Sequence, residues 1–145
     1  MERSILLKSR RCACGNMRRA TRAITQYYDS CLKPSGLRAT QLSLMLGISL
    51  NESPTIGELA ELMVMDQTTV TRNVESLQKT GFIEVVSEES DARKKRLTVT
   101  TKGLEKLSEA MPLWELAQTR MENGLGNERL RELLKILSEV TALAK

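Results

Sequence analysis

The sequence predicts a mainly α fold with one small β-hairpin, and three observations predict it. Between Thr55 and Thr101 the chain reads as two short amphipathic helices, Ile56–Met63 and Gln67–Thr80. Two runs of strand formers follow, Phe82–Ser87 and Arg96–Thr100, and the stretch between them carries the charged tip Asp91-Ala92-Arg93-Lys94-Lys95. Long segments with helical apolar spacing flank this middle region on both sides. Helix, helix, strand, cationic tip and strand make the order of a winged helix-turn-helix. In that arrangement one helix enters a DNA major groove, a second braces it, and the hairpin reaches the flanking backbone.

The elements follow in chain order. Residues 1–10 read as a loose basic arm with Arg3, Lys8 and Arg10, and Arg11 next. A long helix then runs from about Cys14 to Leu32. Its Ala20, Ala23, Ile24, Tyr27, Tyr28 and Cys31 recur three and four apart and form one apolar face, with Arg18, Arg19 and Arg22 on the other side. Lys33-Pro34-Ser35-Gly36 stops it, because Pro34 disfavours helical geometry at Lys33 and Gly36 permits a turn. The next helix spans about Ala39–Asn51, with Leu42, Met45, Leu46 and Leu50 inward. Thr55 fits an N-cap and Glu58 completes a capping box, turning Ile56, Leu59, Ala60 and Met63 to the core.

Asp66 caps the following helix by accepting free amides at Thr68 or Thr69. There Val70, Val74 and Leu77 face the core, which leaves Gln67, Thr68, Thr71, Arg72 and Glu75 outside. Gly81 ends the helix. Phe82, Val85 and Val86 pair with Leu97-Thr98-Val99, and Glu88 to Lys95 bridges them. Thr101 caps a long helical region in which Leu104, Leu107, Met111, Trp114 and Met121 lie near one stripe. Pro112 inside it predicts a kink or a short break. Gly124-Leu125-Gly126 ends that region. Asn127 caps a final helix whose Leu130, Leu133, Leu134, Leu137 and Val140 repeat at core-facing spacing. This layout places a DNA reader at residues 36–101, between two halves of a helical joining layer at residues 1–35 and 102–145.

Composition removes several function classes. At 145 residues, 41% of them hydrophobic, the chain is long and apolar enough to bury a core. A net charge of +4 is only mildly basic, so the placement of charge matters more than its sum. Histidine is absent, which removes Ser-His-Asp and Cys-His catalysis and the commonest metal ligand. No catalytic constellation is visible, so no enzyme is expected. Tyr27, Tyr28, Phe82 and Trp114 are too few for a base-stacking platform. Without a long apolar run or a signal-peptide pattern, the expectation is a cytoplasmic chain with no membrane partner.

Together these stretches resemble the MarR family of winged-helix transcriptional regulators over nearly the full length. The carrying residues are Gly36-Leu37 with Gln41, Thr55-Ile56-Gly57-Glu58-Leu59-Ala60, Thr68 through Leu77, Gly81-Phe82-Ile83, Asp91-Ala92-Arg93, and Leu97 through Gly103. The resemblance implies a two-fold homodimer joined through the terminal helices and bound to a pseudo-palindromic operator. It also implies a regulator, most often a repressor, whose affinity for DNA changes when a ligand or oxidation acts at the junction of the two layers. Two positions depart from the family pattern. Arg38 stands where a small capping residue is usual, and Ala92 replaces the middle residue of a usual Asp-Arg-Arg tip.

The candidate DNA contacts are Gln67, Thr68, Thr69, Thr71, Arg72 and Asn73 on the recognition helix, Arg93, Lys94 and Lys95 on the wing, and Arg38, with Lys33 a weaker one. Gln can pair bidentately with adenine and Arg with guanine, and Thr can touch a thymine methyl or a phosphate. Each Thr can instead cap or bond the backbone, and Arg72 can pair with Glu75 or Asp66. Asp91 can pair with Arg93 and stiffen the wing. The alternative to a DNA reader is a winged-helix adaptor that binds protein, which the basic wing and Arg72 argue against.

Cys12, Cys14 and Cys31 are an odd set, unsuited to a secreted disulfide framework. They read as thiol sensors, as soft-metal ligands, or as a core residue with two incidental neighbours. Met63 to Met65, with Met111, Trp114 and Met121, read as core or as the lining of an apolar ligand pocket. No cofactor is expected beyond a small-molecule effector or a soft metal.

Overall fold

The computed structural model describes residues 3–145. Its elements are α1 (Arg3–Lys8), α2 (Ala13–Leu32), α3 (Ala39–Leu50), α4 (Ile56–Met63), α5 (Gln67–Lys79), β1 (Ile83–Glu88), β2 (Asp91–Val99), α6 (Thr101–Leu125) and α7 (Asn127–Ala144). The predicted fold class holds: mainly α, with one antiparallel hairpin.

The central lobe has one core. Leu42, Leu44, Met45 and Ile48 of α3, Leu59 of α4, Val70, Val74 and Leu77 of α5, Ile83 of β1, Leu97 of β2 and Leu107 of α6 are buried together. α3 touches α2, α4, α6 and β2, so its buried set is no single stripe. That is why Leu44 and Ile48 are inside, whereas Leu50, expected inward, is 78% exposed in the last turn beyond the elements that cover the helix.

Local chemistry explains the element starts. Thr55 and Glu58 form the expected capping box: the Thr55 amide donates to Glu58 Oε2 at 2.8 Å and the Glu58 amide to Thr55 Oγ1 at 3.2 Å. The α3 start solves the problem posed by Arg38, which has no side-chain acceptor. The Ala39 amide donates to Asp29 Oδ1 at 2.7 Å, so a carboxylate from α2 caps α3 from outside, and Gln41 Oε1 accepts the Arg38 amide. Lys33–Ser35 make a 3₁₀ turn closed by Gly36 at φ +77°.

Five expectations are corrected. Residues 3–8 are helical rather than loose, although Ile5, Leu6 and Leu7 stay about half exposed; the first two residues of the expected arm lie outside the described ones. The strands extend through the charged stretch, with the turn at Glu89-Ser90. Ladder hydrogen bonds use the backbone and need no apolar side chain, so polarity did not stop β2. The cap of α6 is Thr100, whose Oγ1 accepts the Gly103 amide at 3.0 Å, while Thr101 is the first helical residue. Of the two outcomes expected at Pro112, a kink or a one-turn break, the break does not form, and α6 runs on through Pro112 to Leu125. Gly126, at a positive φ of +83°, precedes α7, and Asn127 is the first residue of the helix.

The terminal helices differ from the lobe. α2 packs along α6, and Tyr28 donates from its hydroxyl to Gln118 Oε1 at 2.8 Å. Yet Leu32 is the only buried residue of α2, and α7 buries none. The expected apolar faces exist, but much of their area stays open: Ile24 is 43% exposed and Leu134 56%. Leu104 also points out, whereas Leu107 and Ala110 turn in.

Candidate nucleic-acid interface

The rotation of α5 is set by its N-terminal cap and by its buried face. Asp66 accepts the Thr69 amide at 2.9 Å and the Thr69 hydroxyl at 2.6 Å, which closes the first turn. These bonds, the hydroxyl's first and the amide's next, hold the Asp66 carboxyl below its ordinary pKa. Val70, Val74 and Leu77 are buried at 0%, 2% and 0% exposure, which pins the opposite face to the core. Gln67, Thr68, Arg72 and Glu75 consequently stand in solvent along one side.

The six candidates on this helix divide into two groups. Gln67, Thr68 and Arg72 are exposed, and among the described residues Arg72 makes no ion pair with Glu75 or Asp66. Thr69, Thr71 and Asn73 are half-buried and engaged locally. The Thr71 hydroxyl donates to the Gln67 carbonyl at 2.7 Å, and Asn73 Nδ2 to the Thr69 carbonyl at 2.9 Å. Their polar atoms shape the helix before they are available to anything else. Arg38 and Lys33 are exposed at the start of the lobe.

On the wing, Arg93, Lys94 and Lys95 are all exposed. Strand pairing is regular from Ile83↔Val99 to Ser87↔Lys95 and then jumps to Glu88↔Asp91. Ala92, Arg93 and Lys94 therefore bulge from β2 without partners on β1. Asp91 does not hold the Arg93 guanidinium. Its Oδ1 accepts the Arg93 backbone amide at 3.0 Å, which fixes the bulge and leaves the cation free.

Arg96, which in the sequence adjoins the wing cations, has a different place. It is half-buried, and its Nη1 lies 3.0 Å from Glu58 Oε2. Glu58 sits below the usual carboxylate range, chiefly because the Thr55 amide bonds it, with the Arg96 charge adding to the effect. No local pattern marks this residue, because its partner is far away in the chain. Nor does any pattern mark Val64, which occupies the left-handed region at φ +53° in the turn between α4 and α5.

The sensing candidates lie apart from this face. Cys12 and Cys14 are exposed and Cys31 is half-buried, and all are free thiols. Cys12 does not share the helix with Cys14. It is the extended N-cap of α2, and its Sγ accepts the Gly15 amide at 3.5 Å. The neighbouring Cys31 thiol, with desolvation adding to it, raises the Tyr27 pKa. Met63, Met65 and Trp114 pack against the core, and Met121 lines a groove of about 340 Å³ with Tyr27 and Arg120. Among the described residues no group of three His, Cys, Asp or Glu is placed to hold a metal ion, and no helix is long and apolar enough to cross a membrane.

Comparison with known proteins decides what this arrangement is. A profile of the MarR family matches residues 37–95, the span from Leu37 to the wing. The crystal structure of the M. tuberculosis transcriptional regulator MosR in complex with DNA is 38% identical to the chain, at a TM-score of 0.80 and covering 92% of this chain and 98% of that one. The chain belongs to the MarR family. A second relative, the HTH-type transcriptional regulator BilQ of Clostridioides difficile (strain CD3), is 25% identical over 114 residues, 79% of this chain and 77% of BilQ. The transcriptional repressor CouR, bound to a 23-mer DNA duplex, shares the fold at a TM-score of 0.84 and 21% identity over 97% of this chain and 98% of its own. As a MarR-family protein the chain is a transcriptional regulator and not an enzyme.

Proposed function

We propose that this regulator is a homodimer that binds a pseudo-palindromic operator in double-stranded DNA and represses transcription until a small ligand or a modified cysteine releases it. The observation that carries the reading is the recognition helix: its inner face is pinned by Val70, Val74 and Leu77, and Gln67, Thr68 and Arg72 are left free along its outer side. Arg72 reads a base edge, and Gln67 and Thr68 join it. Thr69, Thr71 and Asn73 chiefly hold the helix. Arg93, Lys94 and Lys95 meet phosphates or enter the flanking minor groove, and Arg38 meets the backbone. The unit at residues 36–101 does the reading, and residues 1–35 and 102–145 join two copies. The open apolar faces of α2 and α7 support that pairing, and two copies about one helical turn apart double the readout.

Control by a thiol has support at Cys12 and Cys14. Both are exposed at the start of α2, and Arg10, Arg11, Arg18 and Arg19 lie within a few positions of them in the sequence. Gel shifts at rising salt test the central reading, since phosphate-driven binding weakens steeply. Arg72→Ala is expected to cost about 1–3 kcal/mol, concentrated at particular base pairs, whereas Lys94→Ala weakens all sequences alike. If Arg72→Ala leaves sequence preference unchanged, the base-reading role is wrong. Titration with diamide or arsenite, repeated for each Cys→Ser variant, tests the switch. Unchanged DNA affinity throughout removes the cysteines from it.

A further inference from the structure

Arg96 uses its charge inside the protein, at the joint between the helix-turn-helix and the wing. We propose that Arg96 is a positioning residue that sets the angle of the wing to the recognition helix by bridging Glu58 and Glu88. The inference rests on the DNA-reading function proposed above, and its test separates the two.

Four observations carry it. First, Arg96 pairs with Val86 next to the last regular rung, Ser87↔Lys95, beyond which β2 bulges. The exposed cations Arg93 and Lys94 both lie distal to that point, so their placement depends on how the rung is held. Second, the Glu58 oxygen that Arg96 Nη1 meets at 3.0 Å also accepts the Thr55 amide at 2.8 Å. The wing is thus fastened to the capping box of α4, and α4 packs directly on α5. Third, Glu88 Oε2 is withdrawn from solvent without a hydrogen-bond partner and lies 3.8 Å from Arg96 Nη2. Among the described residues the Arg96 guanidinium is the charge that faces this oxygen, while the Glu88 side chain as a whole is 33% exposed, so the arginine touches β1 as well as holding β2. Fourth, the Arg96 side chain is 30% exposed, a poor posture for a phosphate ligand. A planar fork can serve two carboxylates at once, which an ammonium does less well.

The joint has another fastening nearby. The Leu97 amide donates to the Pro54 carbonyl at 2.9 Å, and the Ser53 and Thr98 hydroxyls lie 3.4 Å apart. These contacts fix where the base of the hairpin sits. Arg96 adds a contact off the hairpin axis, and that contact resists swinging. A wing free to swing would have to be ordered at the moment of binding, at a cost in affinity.

The test is a double-mutant cycle using the duplex that the full-length protein selects from a randomised pool. Arg96→Gln and Glu58→Gln, the second of which keeps an acceptor for the Thr55 amide, should each weaken binding by about fivefold to tenfold. Removing Arg93 and Lys94 together should weaken the parent strongly but cost much less in the Arg96→Gln background, because a swinging wing has already lost those contacts. Arg96→Lys should recover part of the loss. In parallel, amide relaxation of the free protein should show Glu89–Lys94 losing order in Arg96→Gln while α5 does not change. Independent, multiplying effects in the cycle, or an equally ordered wing in Arg96→Gln, overturn the proposal. The relaxation measurement needs no DNA. A protein that selects no duplex therefore defeats the functional reading while the wing measurement still decides the joint.

Discussion

Gly103 offers the sharpest test of how the two layers are held together. It lies in the first turn of α6, where Thr100 both accepts the Gly103 amide and donates its hydroxyl to the Gly81 carbonyl at 2.5 Å. A Cβ at Gly103 would fall inside the van der Waals envelope of the Phe82 carbonyl oxygen, 2.7 Å from Val99 Cγ1 and 3.0 Å from the Phe82 carbonyl carbon. The nearest obstacle is backbone and cannot rotate away. The Phe82 carbonyl also accepts the Thr100 amide at 3.0 Å, so relieving the clash strains that bond and the base of the hairpin with it. Overpacking of this kind typically costs about 1–3 kcal/mol, and alanine's helix preference returns about 1 kcal/mol at most. Because the obstacle is rigid, Gly103→Ala should sit at the high end, a net loss of about 2 kcal/mol. Gly124→Ala is the control: it lies in the same helix, a methyl group there would meet nothing within 4 Å, and the change should gain about 0.5–1 kcal/mol. Urea unfolding at one fixed protein concentration compares them, because association shifts apparent stability. If Gly103→Ala is as stable as the parent, the close approach of α6 to Phe82 is not a constraint and the reasoning fails.

Other predictions concern the turns, the caps and the joining layer. Val64 is a β-branched residue in the left-handed region and 59% exposed, so Val64→Gly should stabilise the fold by about 0.5–1 kcal/mol in urea unfolding, backbone relief exceeding the entropy of the added glycine. Asp66 and Glu58 both titrate below their ordinary values, so their contribution is complete above the unfolded carboxylate range near pH 4 and is lost as pH falls through the folded values. Stability should be flat between about pH 7 and 5 with respect to these groups, and Asp66→Asn should make the acid limb shallower. Leu137→Glu places a charge on the open face of α7 and should shift sedimentation from dimer to monomer, with the DNA lobe still folded by circular dichroism. A parent that sediments as a monomer at the same concentration would remove the joining layer from the account.

What the sequence made legible was local. The capping box at Thr55 and Glu58, the Asp66 cap and the Val70, Val74 and Leu77 stripe depend on residues a turn or two apart, and each is found where spacing placed it. The strand ends were not legible, because side-chain polarity sets no limit on a ladder that runs on backbone groups. The cap of α3 was not legible either, since Asp29 comes from another helix, ten positions upstream of Ala39. Arg96 is the larger case: thirty-eight positions separate it from Glu58, and in the sequence it is one more cation in a basic run. At the interface, spacing identified which side of α5 is open, but the local bonds of Thr71 and Asn73 needed coordinates.

These two kinds of contact have different consequences for binding. A capping box or a buried stripe decides whether an element forms, and its loss is felt as stability. A contact such as Arg96 to Glu58 joins elements that would form without it, and its loss is felt as misplacement. On the proposed function the distinction is measurable: Val74→Ala should lower the urea midpoint with little change in affinity for DNA among molecules that remain folded, while Arg96→Gln should do the reverse. The core residue is fully inside and removing two methyl groups leaves a cavity, worth on the order of 2 kcal/mol. The arginine is part-exposed and its charge pair adds little to stability by itself. Its importance lies in geometry, because two reading elements on one duplex must arrive with a fixed offset, and only a contact between them can supply it.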